Sequence, residues 1–211
     1  MINFTPRFEN RPITEQPVHI IYRLKGSIPK AKIRNLALQY QARLERLREK
    51  FKKGAGQLLE AEYQLRERYQ QRYDDLLHQC RTGPMFLSDQ RAKRIIIDSW
   101  RDLERMEQLV VYAVTVMSNH VHVLLANGRA EAPVDFRELM ARHKRFTGRR
   151  INQIQGQQGR DVWAHKAFDR DVRRNKFGVV LNYVINNGVV VGLTDDPLNW
   201  TGTYVQPALM L

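Results

Sequence analysis

Residues 109–126 read LVVYAVTV, MSN and HVHVLLA: an apolar run over Leu109–Val116, a turn at Met117-Ser118-Asn119, and a second run opening with His120-Val121-His122. Two such runs joined by three residues predict a β-hairpin at the centre of a sheet. Side chains alternate faces along a strand, so His120 and His122 point one way while Val121 and Val123 point the other. Histidine in a strand usually serves packing or a hydrogen bond. Two imidazoles side by side on a rigid strand can also grip one metal ion.

Outward from the hairpin, the chain predicts an α+β fold. Residues 18–24 (VHIIYRL) form a strand rich in β-branched and aromatic residues, closed by Gly26 and Pro29. His19 lies outside the histidine pair, with the core or the surface as its expected place. Residues 1–16 lack periodicity and predict an extended arm. From 30 to 80 the chain is charged and helical, with Leu36, Tyr40, Leu44, Leu47 and Phe51 on one stripe and Leu58, Ala61, Leu65, Tyr69 and Leu76 on another. Gly54-Ala55-Gly56 separates them, so an antiparallel helical hairpin is expected. A helix from Ser88 or Arg91 to about Glu104 precedes the central hairpin.

After that hairpin, Asp135 caps a helix running to about Ile151, with Phe136, Leu139, Met140 and Phe146 inward. A loop over 153–160 leads to a short strand over 162–168. A last helix spans 174–187 and stops at Gly188 as its C-cap. The order strand, helix, strand, strand, helix, strand is that of a ferredoxin-like βαββαβ antiparallel sheet. Residues 30–80 are then a helical hairpin inserted in a single domain spanning 1–211, and the last helix is an addition.

The chain carries 35 Lys and Arg against 22 Asp and Glu, a net charge of +13, which points to a polyanionic partner. Much of the excess is local, since residues 136–176 hold 12 basic and 4 acidic side chains. No apolar run approaches the roughly 20 residues that span a bilayer, and the first residues are polar. A soluble protein of the cytoplasm, associated with the nucleoid and independent of membranes, is expected. The single cysteine, Cys80, excludes an internal disulfide and is expected to be a small packed side chain. His143 and His165 have no partner at metal spacing and are read as surface or DNA-facing groups.

Two histidines on a central strand, a basic surface, and Tyr183 followed by Asn186 and Asn187 on the last helix form a chemically coherent set. A metal held by imidazoles can polarise a phosphodiester while a tyrosine hydroxyl attacks phosphorus. An aromatic in an apolar helix is ordinarily a packing residue. The polar neighbours of Tyr183 at i+3 and i+4 argue for more.

The stretch from Ser118 to Leu125 (SNHVHVLL) resembles the histidine-hydrophobic-histidine motif of the HUH single-tyrosine transposases. The segment 18–29, the Gly83-Pro84 break, Lys144-Arg145-Phe146-Thr147 with Asn152, the stretch 163–173, and Tyr183-Val184-Ile185-Asn186-Asn187-Gly188 through Gly192-Leu193 also resemble that family. The resemblance covers about residues 16–200 and is strongest to the REP-associated tyrosine transposases. It implies an endonuclease and strand transferase that cuts single-stranded DNA at a hairpin or palindrome and forms a 5′-phosphotyrosine with a free 3′-hydroxyl. It also implies Mg²⁺ or Mn²⁺ held by His120, His122 and Asn187, with Tyr183 as nucleophile. Lys144, Arg145, Arg149, Arg150, Arg170, Arg173 and Arg174 are the expected DNA contacts, and the protein is expected as a monomer or homodimer. The sequence departs from the family at Ser118 and Gly188, where proline is usual, and at Arg170, where many members have histidine. A protein that keeps the fold and binds hairpin DNA without cutting is the alternative.

Overall fold

The computed structural model describes residues 12–52, 54–80, 82–129 and 131–210. In chain order the elements are β1 (Val18–Arg23), α1 (Lys30–Lys50), α2 (Ala55–Gln79), α3 (Gln90–Glu107), β2 (Leu109–Val116), β3 (His120–Asn127), α4 (Phe136–Ile154), β4 (Phe168–Asp171), α5 (Phe177–Ile185), α6 (Asn187–Val190) and β5 (Thr203–Val205). The described residues fall into two compact units, one within Gly26–Gly83 and the other within Phe8–Lys25 and Pro84–Leu211. Of the arm expected over 1–16, residues 1–11 lie outside the described residues. Ile13 is held by an isolated bridge to Val134.

The first unit is the expected helical hairpin. Leu36, Tyr40 and Leu44 of α1 and Leu65, Tyr69 and Tyr73 of α2 are buried, and the rings of Tyr40 and Tyr69 meet edge to face at 4.9 Å. Toward the turn Leu47, Phe51, Leu58 and Ala61 are only half-buried. There the hairpin is held by polar links such as Arg48 to Glu62 at 3.1 Å, a kind of contact worth at most about 1 kcal/mol on a surface.

The second unit is a five-stranded antiparallel sheet in the order β4-β1-β3-β2-β5. Its first four strands with α3 and α4 reproduce the expected ferredoxin-like arrangement, and β5 is an edge strand added to β2. One face carries Ile20, Tyr22, Val121, Val123 and Leu125 against Ala92, Ile96 and Trp100 of α3 and Leu139, Met140 and Ile151 of α4. The other carries Ala113 and Leu124 against Val180 and Val184 of α5. A register shift between Val111 and Ala113 turns both Tyr112 and Ala113 toward α5. Asp89 and Asp135 cap α3 and α4, accepting from the amides of Arg91 and Glu138. Such caps contribute about 1 kcal/mol each.

Four details differ from the sequence expectation. Phe146 is 47% exposed, because α4 turns His143 and Thr147 inward and leaves Phe146 at the margin of the apolar stripe. The strand expected at 162–168 is displaced to Phe168–Asp171, and Trp163 makes only an isolated bridge to Leu24. The carbonyls of Ala164 and His165 turn away to accept from the Lys144 ammonium, each at 3.0 Å, which takes them off the ladder. The last helix breaks at Asn186, whose amide donates back to the Asn182 carbonyl at 2.9 Å. Gly188 is therefore not the C-cap but lies buried in α6. A Cβ there would meet Thr194 and the Trp200 ring at 3.4 and 3.5 Å, and the chain reverses instead at Gly192, φ +69°.

His143 is the fourth difference. It is buried beneath α3 and α4, with Nε2 2.7 Å from the Tyr22 hydroxyl and Nδ1 2.9 Å from the Ser99 hydroxyl. The Trp100 indole donates to the same Tyr22 oxygen. Burial, reinforced by the Lys144 cation, lowers the His143 pKa to about 3, so the ring is a neutral core strut and does not face DNA. His165 is exposed, as expected.

Candidate metal and nucleophile site

The α5 face of the sheet gathers the chemistry-bearing residues. Ile21 of β1 stands opposite His122 of β3, and Thr115 of β2 stands on the other side of it. With the pleat fixed by Val121 and Val123 in the α3/α4 layer, His120 and His122 share the face that α5 covers. Both are almost fully buried, and their Nε2 atoms lie 2.9 Å apart.

His120 Nδ1 is 2.6 Å from the Asn119 side-chain oxygen. A carbonyl oxygen can only accept, so the His120 proton sits on Nδ1, leaving Nε2 as a lone pair aimed at His122. An anchored far nitrogen of this kind accompanies metal-binding histidines generally. Two ligands at about 2.1 Å from one ion and at about 90° to each other lie about 3 Å apart, and that is the spacing of these two nitrogens.

The nucleophile candidate is delivered by α5. Val180 and Val184 seat the helix on Ala113 and Leu124, and the Thr115 hydroxyl donates to the Val184 carbonyl at 2.6 Å. One turn of helix then sets the half-buried Tyr183 ring edge-on to His122, at 5.9 Å between centroids. Asn187 follows across the helix break with its Nδ2 3.4 Å from the Tyr183 carbonyl, and it is 1% exposed. Its Oδ1 is buried and has no hydrogen-bond partner among the described residues. An orphaned amide oxygen costs about 1–3 kcal/mol unless something binds it. Two converging imidazoles fit a divalent ion, and a neutral amide oxygen is a donor of the kind that Mn²⁺ or Mg²⁺ accepts.

The expected DNA contacts divide between the two faces. Arg170 on β4 stands opposite His19 and so shares the histidine face. Arg173 is half-buried and Arg174 exposed at the entry to α5. The residues of α4 lie on the other face. Lys144, Arg145 and Arg149 line a cleft of about 820 Å³ between α4 and residues 159–167, floored in part by Trp163. Arg150 is exposed and donates to Gln153 at 3.1 Å. Lys144 is already engaged with main-chain carbonyls, as is Asn152, which donates to the Arg160 carbonyl and receives its guanidinium. These two bind the 160–165 segment to α4.

His19 escaped the sequence reading. It is fully buried on the same face, its Nε2 3.1 Å from His122 Nδ1, its ring stacked on His122 and edge-on to Tyr183 at 6.0 Å. Strand parity sets it on the face opposite the core-side Ile20 and Tyr22, but only the pairing of β1 with β3 brings it to His122.

No family model and no curated protein matches this sequence. Solved structures similar to it include one described as "Structure of the REP associates tyrosine transposase bound to a REP hairpin". The two align over 94% of this chain and 82% of that one, with a TM-score of 0.49 and 10% identity.

Proposed function

We propose that this protein is a metal-dependent single-stranded DNA endonuclease and strand transferase acting at hairpin or palindromic DNA through a tyrosine nucleophile. The observation that carries the proposal is the Tyr183 ring standing edge-on to His122, whose Nε2 lies 2.9 Å from that of His120. His120, His122 and Asn187 would hold Mg²⁺ or Mn²⁺, which when bound polarises the scissile phosphate and stabilises the leaving oxygen.

The Tyr183 hydroxyl loses its proton to water as its oxygen attacks phosphorus. The new bond joins Tyr183 to the 5′-phosphate, and the bond to the 3′-oxygen breaks. That oxygen takes a proton and leaves as a 3′-hydroxyl. A second 3′-hydroxyl attacking the phosphotyrosine rejoins DNA and restores Tyr183, with no external energy source, because one phosphodiester replaces another. Arg170, Arg173 and Arg174 offer cationic groups to the strand on this face, and the α4 cleft offers a second contact for flanking DNA.

The test is a hairpin-bearing single strand incubated with Mn²⁺. Wild type should form a covalent protein–DNA band and Tyr183→Phe none, with DNA binding retained. A full-strength band from Tyr183→Phe overturns the assignment.

A further inference from the structure

By its sequence His19 is an ordinary core or surface residue, yet it touches the proposed metal site at one defined point. Its Nε2 is 3.1 Å from His122 Nδ1, the nitrogen of His122 that faces away from His120. The ring is 0% exposed, so this contact is part of the built structure and is not made by a side chain that swings in solvent.

Proton placement follows from Asn119. His120 donates from Nδ1 to the Asn119 oxygen, so His120 Nε2 accepts. With one proton per ring, His122 must donate from its Nε2, and its Nδ1 must accept. His19 therefore donates from Nε2. The chain runs His19 to His122 to His120 to Asn119, with every proton pointing the same way.

A metal bound to the Nε2 atoms of both His120 and His122 is incompatible with that direction, because His122 Nε2 must then be a lone pair. The His122 proton moves to Nδ1 and points at His19, whose Nε2 must accept it, so the His19 proton moves to Nδ1. Each ring keeps one proton, and only its position changes.

We infer that His19 is a positioning residue for the metal centre: its Nε2 accepts from His122 Nδ1–H and so holds His122 in the tautomer and orientation that present Nε2 to the ion. This inference rests on the proposed metal site at His120 and His122. Partners of this kind on metal-binding histidines are worth about 10- to 100-fold in metal affinity. A carboxylate or carbonyl commonly fills the position; here a histidine able to reverse its own tautomer does so. It satisfies His122 both with and without the ion and leaves no buried nitrogen of His122 unpaired in either state.

Two measurements decide it, both without DNA. In the wild-type chain labelled with ¹⁵N-histidine, saturating Mg²⁺ should convert both His122 and His19 from Nε2–H to Nδ1–H. Conversion of His122 with His19 left as Nε2–H overturns the inference alone. A His122 that stays Nε2–H in saturating Mg²⁺ overturns its place as a ligand, and with it the metal-site reading.

The second is Mn²⁺ binding followed by the paramagnetic resonance of the free ion. His19→Phe keeps the ring volume against His122 and Tyr183 but cannot accept, and should bind Mn²⁺ about 10- to 100-fold more weakly than wild type. His19→Gln restores an acceptor and should recover most of the loss. His19→Phe binding within twofold of wild type would reduce His19 to a packing residue. If either variant fails to fold, the labelled wild-type spectrum still decides. A wild-type chain that binds no Mn²⁺ defeats the metal-site reading and, with it, the inference that rests on it.

Discussion

Both faces of the sheet bury histidine, and they do so in opposite ways. Under α3 and α4, His143 is enclosed by Tyr22, Trp100 and Ser99, with each ring nitrogen matched to a hydroxyl. Under α5, His19, His122 and His120 address one another nitrogen to nitrogen. The first arrangement is closed, because two hydroxyls satisfy the ring and nothing is left to bind. The second is a row of imidazoles that a change of tautomer opens to a cation, edge-on to a tyrosine. A buried histidine acquires meaning from the atoms its nitrogens face, not from burial.

The widest separation between the faces should come from single substitutions. His120→Ala should lower DNA cleavage per folded molecule about a thousandfold or more, several kcal/mol of metal-derived stabilisation. His143→Ala should do the reverse, costing about 2–4 kcal/mol of stability through the cavity and two deprived hydroxyls while sparing cleavage per folded molecule. Cleavage rates paired with urea melts test both. Equal losses of cleavage per folded molecule from the two would erase the distinction.

Acid should sharpen it. The folded-state pKa of His143 is lowered from 6.5 to about 3, so between those values the unfolded chain holds a proton that the folded one does not. Its contribution is complete above pH 6.5 and is lost as pH falls toward 3, at about 1.4 kcal/mol per pH unit. Wild type should lose stability on acidification more steeply than His143→Gln, and parallel slopes would refute the closed-core account.

On the other face Asn187→Ala should raise the Mn²⁺ concentration for half-maximal cleavage about tenfold, equivalent to about 1.4 kcal/mol. Coincident titration curves for variant and wild type would remove Asn187 from the site. The smallest effect belongs to the basic outer face of α4. Changing Arg149 and Arg150 to alanine together should reduce the salt dependence of single-strand binding by about 0.7 in slope for each phosphate that is no longer neutralised, and an unchanged slope would place DNA elsewhere.

The central hairpin and its histidine pair were legible because a period of two and a short turn fix which side chains share a face. The ferredoxin-like order followed from the succession of elements. His19 was not legible as a site residue, since its meaning depends on the register of β1 against β3, a long-range pairing that no local pattern encodes. The same reason hid His143, which looks like one more polar residue on a basic helix until Tyr22 and Ser99 are placed beside it. Asn186 reads as part of a continuous helix, yet its amide competes for the Asn182 carbonyl and breaks α5 from α6. The strand β5 is three residues long, too short for periodicity to register.

The central claim is that Tyr183 supplies the atom that meets DNA. Wild-type protein should be reacted with a hairpin-bearing single strand and Mn²⁺, digested with trypsin and nuclease, and sequenced by mass spectrometry. Cleavage after Lys176 yields residues 177–211, which hold both Tyr183 and Tyr204, so fragmentation must separate them. A nucleotide mass on Tyr183, absent when Mn²⁺ is chelated, is the expected result; the same mass on Tyr204 or any other residue, or strand scission with no adduct, would contradict the account.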